Sequence, residues 1–178
     1  MSTKPYVILA PHVDDEVIGC FSLLELRQVS DVFYVFDITP ARWDEALDCS
    51  EKFGFNAHRD KIELDVIPKD KILMVPSIFD QHPHHKALNA QSENFPNVKG
   101  YYSVDMNVSP LTLLDEKERL RKFNTLVQLF PSQSKLFMSD AKYHLFECLR
   151  QDDYQAMQIR RVVNGVLGRA EQVKYRPL

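Results

Sequence analysis

Tyr6-Val7-Ile8-Leu9-Ala10-Pro11-His12-Val13-Asp14-Asp15-Glu16 is a short apolar run that gives way at once to a proline, a histidine and three consecutive carboxylates. The run from Tyr6 to Ala10 is continuous rather than alternating, the pattern of a strand buried on both faces. Residues 15–29 then carry Ile18, Phe21 and Leu24 at helical spacing and contain no proline. Val32-Phe33-Tyr34-Val35-Phe36 is a second β-branched and aromatic run, again fit for a buried strand. Strand, helix and strand at this spacing predict parallel pairing, and hence an α/β fold.

The pattern continues outward. Pro40 opens a helix with apolar positions at Trp43, Ala46, Leu47 and Phe53, and Gly54 suits its C-cap. Residues 62–67 and 72–75 are further strand candidates, 83–92 read as a short helix, and 100–106 as another strand. Leu113, Leu114, Leu120, Phe123, Val127 and Phe130 mark one face of a helix that Pro131 ends. A last helix is expected over much of 140–167. No repeat, low-complexity segment or linker divides the chain, so one domain spanning 1–178 is expected.

Composition narrows the functional classes. With 44% hydrophobic and 26% charged residues the chain is globular rather than disordered. Lys plus Arg is 22 against 25 for Asp plus Glu, a net charge of -3, which argues against a dominant nucleic-acid-binding role despite basic residues between 160 and 176. No apolar run reaches the ~18 residues of a membrane span, and the first residues are not a signal peptide. Cys20, Cys49 and Cys148 are widely spaced and odd in number, which reads as buried reduced thiols in a cytoplasmic protein. Oligomeric state is not legible.

In a parallel sheet, ligands gather at the carboxyl ends of the strands, near a topological switch point. That rule directs attention to the residues after Ala10, Phe36 and Val75. After Ala10 stand His12, Asp14, Asp15 and Glu16. One reading is a helix N-cap with an acidic first turn. The other is a metal site in which one Asp binds the ion and its neighbour reaches a bound water. After Val75 comes Asp80-Gln81-His82-Pro83-His84-His85, with three of the six histidines. His82 and His85 are one helical turn apart, and Pro83 suits the first turn of a helix. This stretch reads either as a polar loop or as part of a metal site. Together the two clusters offer His, Asp and His from two loops, and three protein ligands with one open position is the pattern of a catalytic zinc.

The chain resembles the PIG-L/LmbE family of zinc-dependent N-deacetylases. The family signature is A-H-P-D-D-E after the first strand and H-P-D-H later. Here these read P-H-V-D-D-E-V-I-G-C and H-P-H-H-K-A. Asp37-Ile38-Thr39 stands at the T-D-G strand end, Arg42-Trp43-Asp44-Glu45 matches R-x-x-E, and Phe53-Gly54 matches L-G. Ser132-Gln133 matches a recurrent S-Q, and Ala170-Glu171 resembles the terminal A-E-x-F. Val13 replaces a proline, Phe21-Ser22 stands at a common G-G, and His84 replaces the Asp that orients the first histidine.

The resemblance implies a Rossmann-like three-layer α/β/α fold with a mostly parallel sheet. It implies one Zn²⁺ per chain held by His12, Asp15 and His85, with Fe²⁺ as an alternative occupant. Asp14 would be the general base. His82 would stabilise the oxyanion and assist the leaving amine. Arg42 would contact the substrate, or else pair with Glu45 or Glu16 as a helix charge. The implied reaction is hydrolysis of an N-acetyl group on a small molecule, an amino sugar or sugar conjugate. Two alternatives stand beside it: a binding protein on the same fold without catalysis, and a deacetylase of a modified nucleoside, nucleic acid or other N-acetylated small molecule.

Overall fold

The computed structural model of the chain describes residues 4–59, 62, 64–101, 112–147 and 149–150. The first strand, β1 (Tyr6–Ala10), leads into α1 (Asp15–Glu25), β2 (Val29–Tyr34), α2 (Pro40–Phe53) and β3 (Asn56–Arg59). Then come β4 (Ile72–Pro76), α3 (Pro83–Gln91) and β5 (Val98–Tyr101). The remainder holds β6 (Thr112–Leu113), α4 (Glu116–Leu129), α5 (Ser134–Ser139), α6 (Lys142–Leu145), β7 (Phe146–Glu147) and β8 (Leu149–Arg150).

The main sheet runs β3-β2-β1-β4-β5-β8. Its first five strands are all parallel, and β8 closes one edge antiparallel to β5. The expected α/β architecture with a mostly parallel sheet is present, in a Rossmann-like layout. The two faces of β1 explain why its sequence does not alternate. Ile8 and Ala10 join Val32, Tyr34 and Met74 under Val17 and Phe21 of α1, Cys49 of α2 and Leu126 of α4. Val7 and Leu9 join Leu73 and Val75 under Leu88 of α3 and Phe95. Burying such a side chain stabilises by roughly 1.5–3 kcal/mol, so this strand is anchored from both sides. Chain order reverses between β1 and β4, which are direct neighbours, so the loops after these two strands open onto one crevice.

Several boundaries differ from expectation. The first helix ends at Glu25, not near 29, because Arg27 turns the chain through a left-handed φ of 52° into β2. That strand starts at Val29, which is 1% exposed, and stops at Tyr34. Among the described residues of 62–67 the expected strand is absent. Leu64–Val66 is a 3-10 turn, and Ile67 plugs the second apolar cluster. The third strand is instead Asn56–Arg59, a polar edge strand with β2 as its neighbour. The strand expected at 100–106 lies at Val98–Tyr101, with 102–106 outside the described residues. Leu113 belongs to a short β6–β7 pair, and α4 begins only at Glu116. Leu120, expected on the apolar face of that helix, is exposed. The long helix expected over 140–167 is, in the described residues, one turn followed by two short strands. Its remainder, Cys148, the basic residues beyond 160 and Ala170-Glu171 lie outside the described residues. Cys20 and Cys49 are buried and neither is in a disulfide. Among the described residues, no helix is long and apolar enough to cross a membrane.

Candidate metal centre

The turn after β1 is held from below by a carboxylate. Glu16 is fully buried, accepts the Tyr34 hydroxyl proton through Oε1 at 2.9 Å, and accepts the Asp14 N–H through Oε2 at 3.0 Å. Burial pushes its carboxyl up to about 7. Asp14 itself sits at φ 138°, a region that favours glycine and costs of order 1–3 kcal/mol elsewhere. Its carbonyl receives the N–H groups of Val17 and Ile18, so the backbone starts α1 without any side-chain cap. The N-cap reading of the acidic cluster is therefore not what the side chains do. Asp14 is turned to Arg42, and Asp15 Oδ2 is turned back to accept the His12 N–H at 2.9 Å.

The second cluster is organised by Asp80, which is completely buried. Its Oδ1 accepts the His82 N–H at 2.8 Å, and its Oδ2 lies 2.7 Å from His85 Nδ1. With Nδ1 donating to Asp80, a metal ion that displaced the proton on His85 Nε2 would meet that nitrogen's lone pair, the arrangement by which carboxylates orient metal-binding histidines. That Nε2 lies 3.4 Å from His12 Nδ1 and 3.4 Å from Asp15 Oδ2, and the latter two are 3.1 Å apart. Three donors bonded tetrahedrally to one ion at ~2.0–2.1 Å would be about 3.3 Å apart. The donor set and its spacing fit a zinc or iron(II) ion. His12, His82 and His85 also each present a ligand atom within 4.8 Å of one another, so His82 is placed to be a further ligand or a proton donor beside the same point.

The ionisable groups around this point shift one another strongly. Burial would raise the Asp15 carboxyl, but the facing His85 and His12 imidazoles outweigh it and hold it well below its usual range. Burial likewise opposes charge on His85, yet the carboxylates of Asp15 and Asp80 on either side push it up to about 10. Asp14 moves the other way. Burial raises it well above the usual carboxylate range, helped by neighbouring Asp15 and opposed by Arg42.

Arg42 reaches the site from the first turn of α2. Its Nη2 donates to the Asp14 carboxylate at 3.0 Å and to the Val13 carbonyl. It pairs with neither Glu45 nor Glu16, the partners considered from sequence. Glu45 accepts instead from the Ser132 N–H and hydroxyl, both at 2.8 Å. That clamp seats Gln133 at the mouth of a cleft of about 170 Å³, with His12, Asp14, Arg42, His82 and Tyr143 around it. The R-x-x-E and S-Q stretches, each weak alone, thus form one structural unit. The structure brings all six site residues expected from sequence to this one cleft. Sequence reading assigned no role to Asp80, Gln133 or Tyr143. Asp80 had a signal, since it opens the histidine-rich stretch, and Gln133 had a weak one in the S-Q match, whereas Tyr143 reaches the cleft only through folding. No family model matches the chain, and neither does any curated protein or solved structure.

Proposed function

We propose that the chain is a metal-dependent amide hydrolase of the PIG-L/LmbE type, removing an N-acetyl group from an amino sugar or sugar conjugate. The observation that carries this reading is the triangle of His12 Nδ1, Asp15 Oδ2 and His85 Nε2, with edges of 3.1–3.4 Å and a spare carboxylate, Asp14, on the same turn. A zinc ion on these three side chains would supply a Lewis acid for an amide carbonyl and acidify water to a pKa near ~7. Asp14 then takes a proton from water at its carboxylate, with Arg42 fixing the carboxylate's direction. His82, across the cleft, donates a proton to the departing amine. The Nε of Arg42 is buried and has no hydrogen-bond partner among the described residues. A cleft of about 170 Å³ admits an acetamido group and leaves the rest of the substrate outside.

The test is a zinc-loaded assay against N-acetylated sugars, nucleosides and polyamines, with free amine as readout. Asp14→Asn should retain its zinc and lose roughly 10²-fold or more in rate. Loss of zinc from this variant would make Asp14 a ligand and reverse the roles. A second reading, a metal-binding protein without catalysis, draws support from the Arg42–Asp14 ion pair, which already engages the proposed base. Full zinc occupancy with no amine from any compound would select it.

A further inference from the structure

His12 is faced by potential ligands on both ring nitrogens. Its Nδ1 belongs to the triangle with Asp15 and His85. Its Nε2 points the other way, to within 2.9 Å of His84 Nδ1 and 3.7 Å of Asp37 Oδ2. The Asp37 oxygen is 3.6 Å from His84 Nδ1. We propose that His12 Nε2, His84 Nδ1 and Asp37 Oδ2 form a second divalent-cation site, sharing the His12 ring with the first.

His12 Nε2 and His84 Nδ1 are within hydrogen-bond distance of each other, but the third member, Asp37, is not bonded to either ring. At 3.6 and 3.7 Å the carboxylate oxygen is beyond the 2.7–3.2 Å at which N–H···O bonds form, so Asp37 bonds to neither imidazole. Donors on a common ion at ~2.0–2.1 Å lie about 3.3–3.6 Å apart, in tetrahedral to trigonal arrangements. The two imidazoles, at 2.9 Å, need open by only a few tenths of an ångström.

The site is built from three loops at the carboxyl edge of the sheet, after β1, after β2 and at the start of α3. The His84 ring is pinned by stacking on Phe36, with centroids 4.3 Å apart and planes 17° from parallel. Asp37 is held at a left-handed φ of 55°, and its side chain is 70% exposed, leaving the solvent side open for water ligands. Two imidazoles and one carboxylate select a borderline ion such as zinc, copper(II) or nickel(II) over calcium or magnesium. With both ions bound, His12 is an imidazolate bridge, and the proton that Nε2 carries in the singly loaded protein leaves to solvent. The proposal shares His12 with the hydrolase reading but does not depend on catalysis.

The full chain is stripped with chelator, dialysed against zinc, and its metal counted by elemental analysis. Wild type should saturate at about two ions per chain. Asp37→Asn/His84→Phe, which keeps a ring on Phe36, should hold about one. Asp15→Asn/His85→Gln should also hold about one, at the outer site. Circular dichroism verifies that both variants are folded. With copper(II) in both sites, spin coupling through the shared imidazolate should pull the paramagnetic resonance intensity below the copper counted chemically. The Asp37→Asn/His84→Phe variant should restore the match. A wild type that saturates at one ion overturns the outer site. If Asp15→Asn/His85→Gln abolishes that one ion, the inner site stands while the outer fails. Two ions retained in Asp37→Asn/His84→Phe would equally overturn the assignment.

Discussion

Asp80 sets two histidines with one carboxylate, receiving the His82 N–H on one oxygen and facing His85 Nδ1 with the other. Asp80→Asn keeps the shape but offers an amide where the imidazole needs an acceptor. Zinc affinity, measured by competition with a chelating dye, should fall about 10–100-fold, the usual effect of losing such a partner. Unchanged affinity would mean that Asp80 only shapes the loop. Glu16 gives a pH signature. Burial lifts its carboxyl from 4.5 to about 7, so between these values the folded chain keeps a proton that the unfolded chain loses. Stability tied to this group is full below 4.5 and is lost as pH rises through about 7, with a slope of at most ~1.4 kcal/mol per pH unit. Urea unfolding of metal-free protein from pH 4 to 8 should show Glu16→Gln shedding about one proton's share of that slope. A parallel wild-type and variant profile would show that Glu16 is ionised in the fold.

At the scale of elements, α4 carries a complete capping box. The Asp115 side chain accepts the Glu118 N–H at 2.8 Å, and the Glu118 side chain accepts the Asp115 N–H at 3.1 Å. Asp115→Ala should destabilise the chain by about 1 kcal/mol and leave metal affinity unchanged, because the cap is remote from the cleft. Denaturant midpoint and zinc titration on one sample check both halves. The apolar stripe used to place this helix from sequence began too early, since Leu113 and Leu114 precede it, and the D-E-K-E that caps it went unread. The opposite failure occurred at β3. Asn-Ala-His-Arg has no strand pattern because an edge strand buries little, and its pairing with β2 is decided by neighbours. A 3-10 turn at Leu64–Val66 took the place of a predicted strand for the same reason. Ile67 is buried, but the residues before it are not, so apolar character alone could not specify a ladder.

Across the whole molecule, the inner site joins residues 73 positions apart. An ion bound there holds the loops after β1 and β4 together only in the folded state. Zinc at 100 times its Kd should therefore add about 2.7 kcal/mol and raise Tm by several degrees. With the outer site removed by Asp37→Asn/His84→Phe, adding His85→Ala should abolish the rise in a thermal melt, while an equal rise would place the ion elsewhere.

By itself, the sequence determined the parallel α/β sheet and the location of the chemistry. Continuous apolar runs such as Tyr6–Ala10 can be stable only between two layers, and polar residues directly after such runs must stand at the sheet's carboxyl edge. The two clusters that hold His12, Asp14, Asp15 and His85 were legible on that ground, while the division of roles among them came only from the family resemblance. Tertiary structure alone decided their partners. Arg42 turned to Asp14 rather than Glu45 because Ser132 claims Glu45 from a distant loop. Asp37 met His12 and His84 because β2 ends at Tyr34 and the next residues bend into the crevice. Such meetings depend on the distance and direction of side chains brought together by packing, and local pattern holds no record of either.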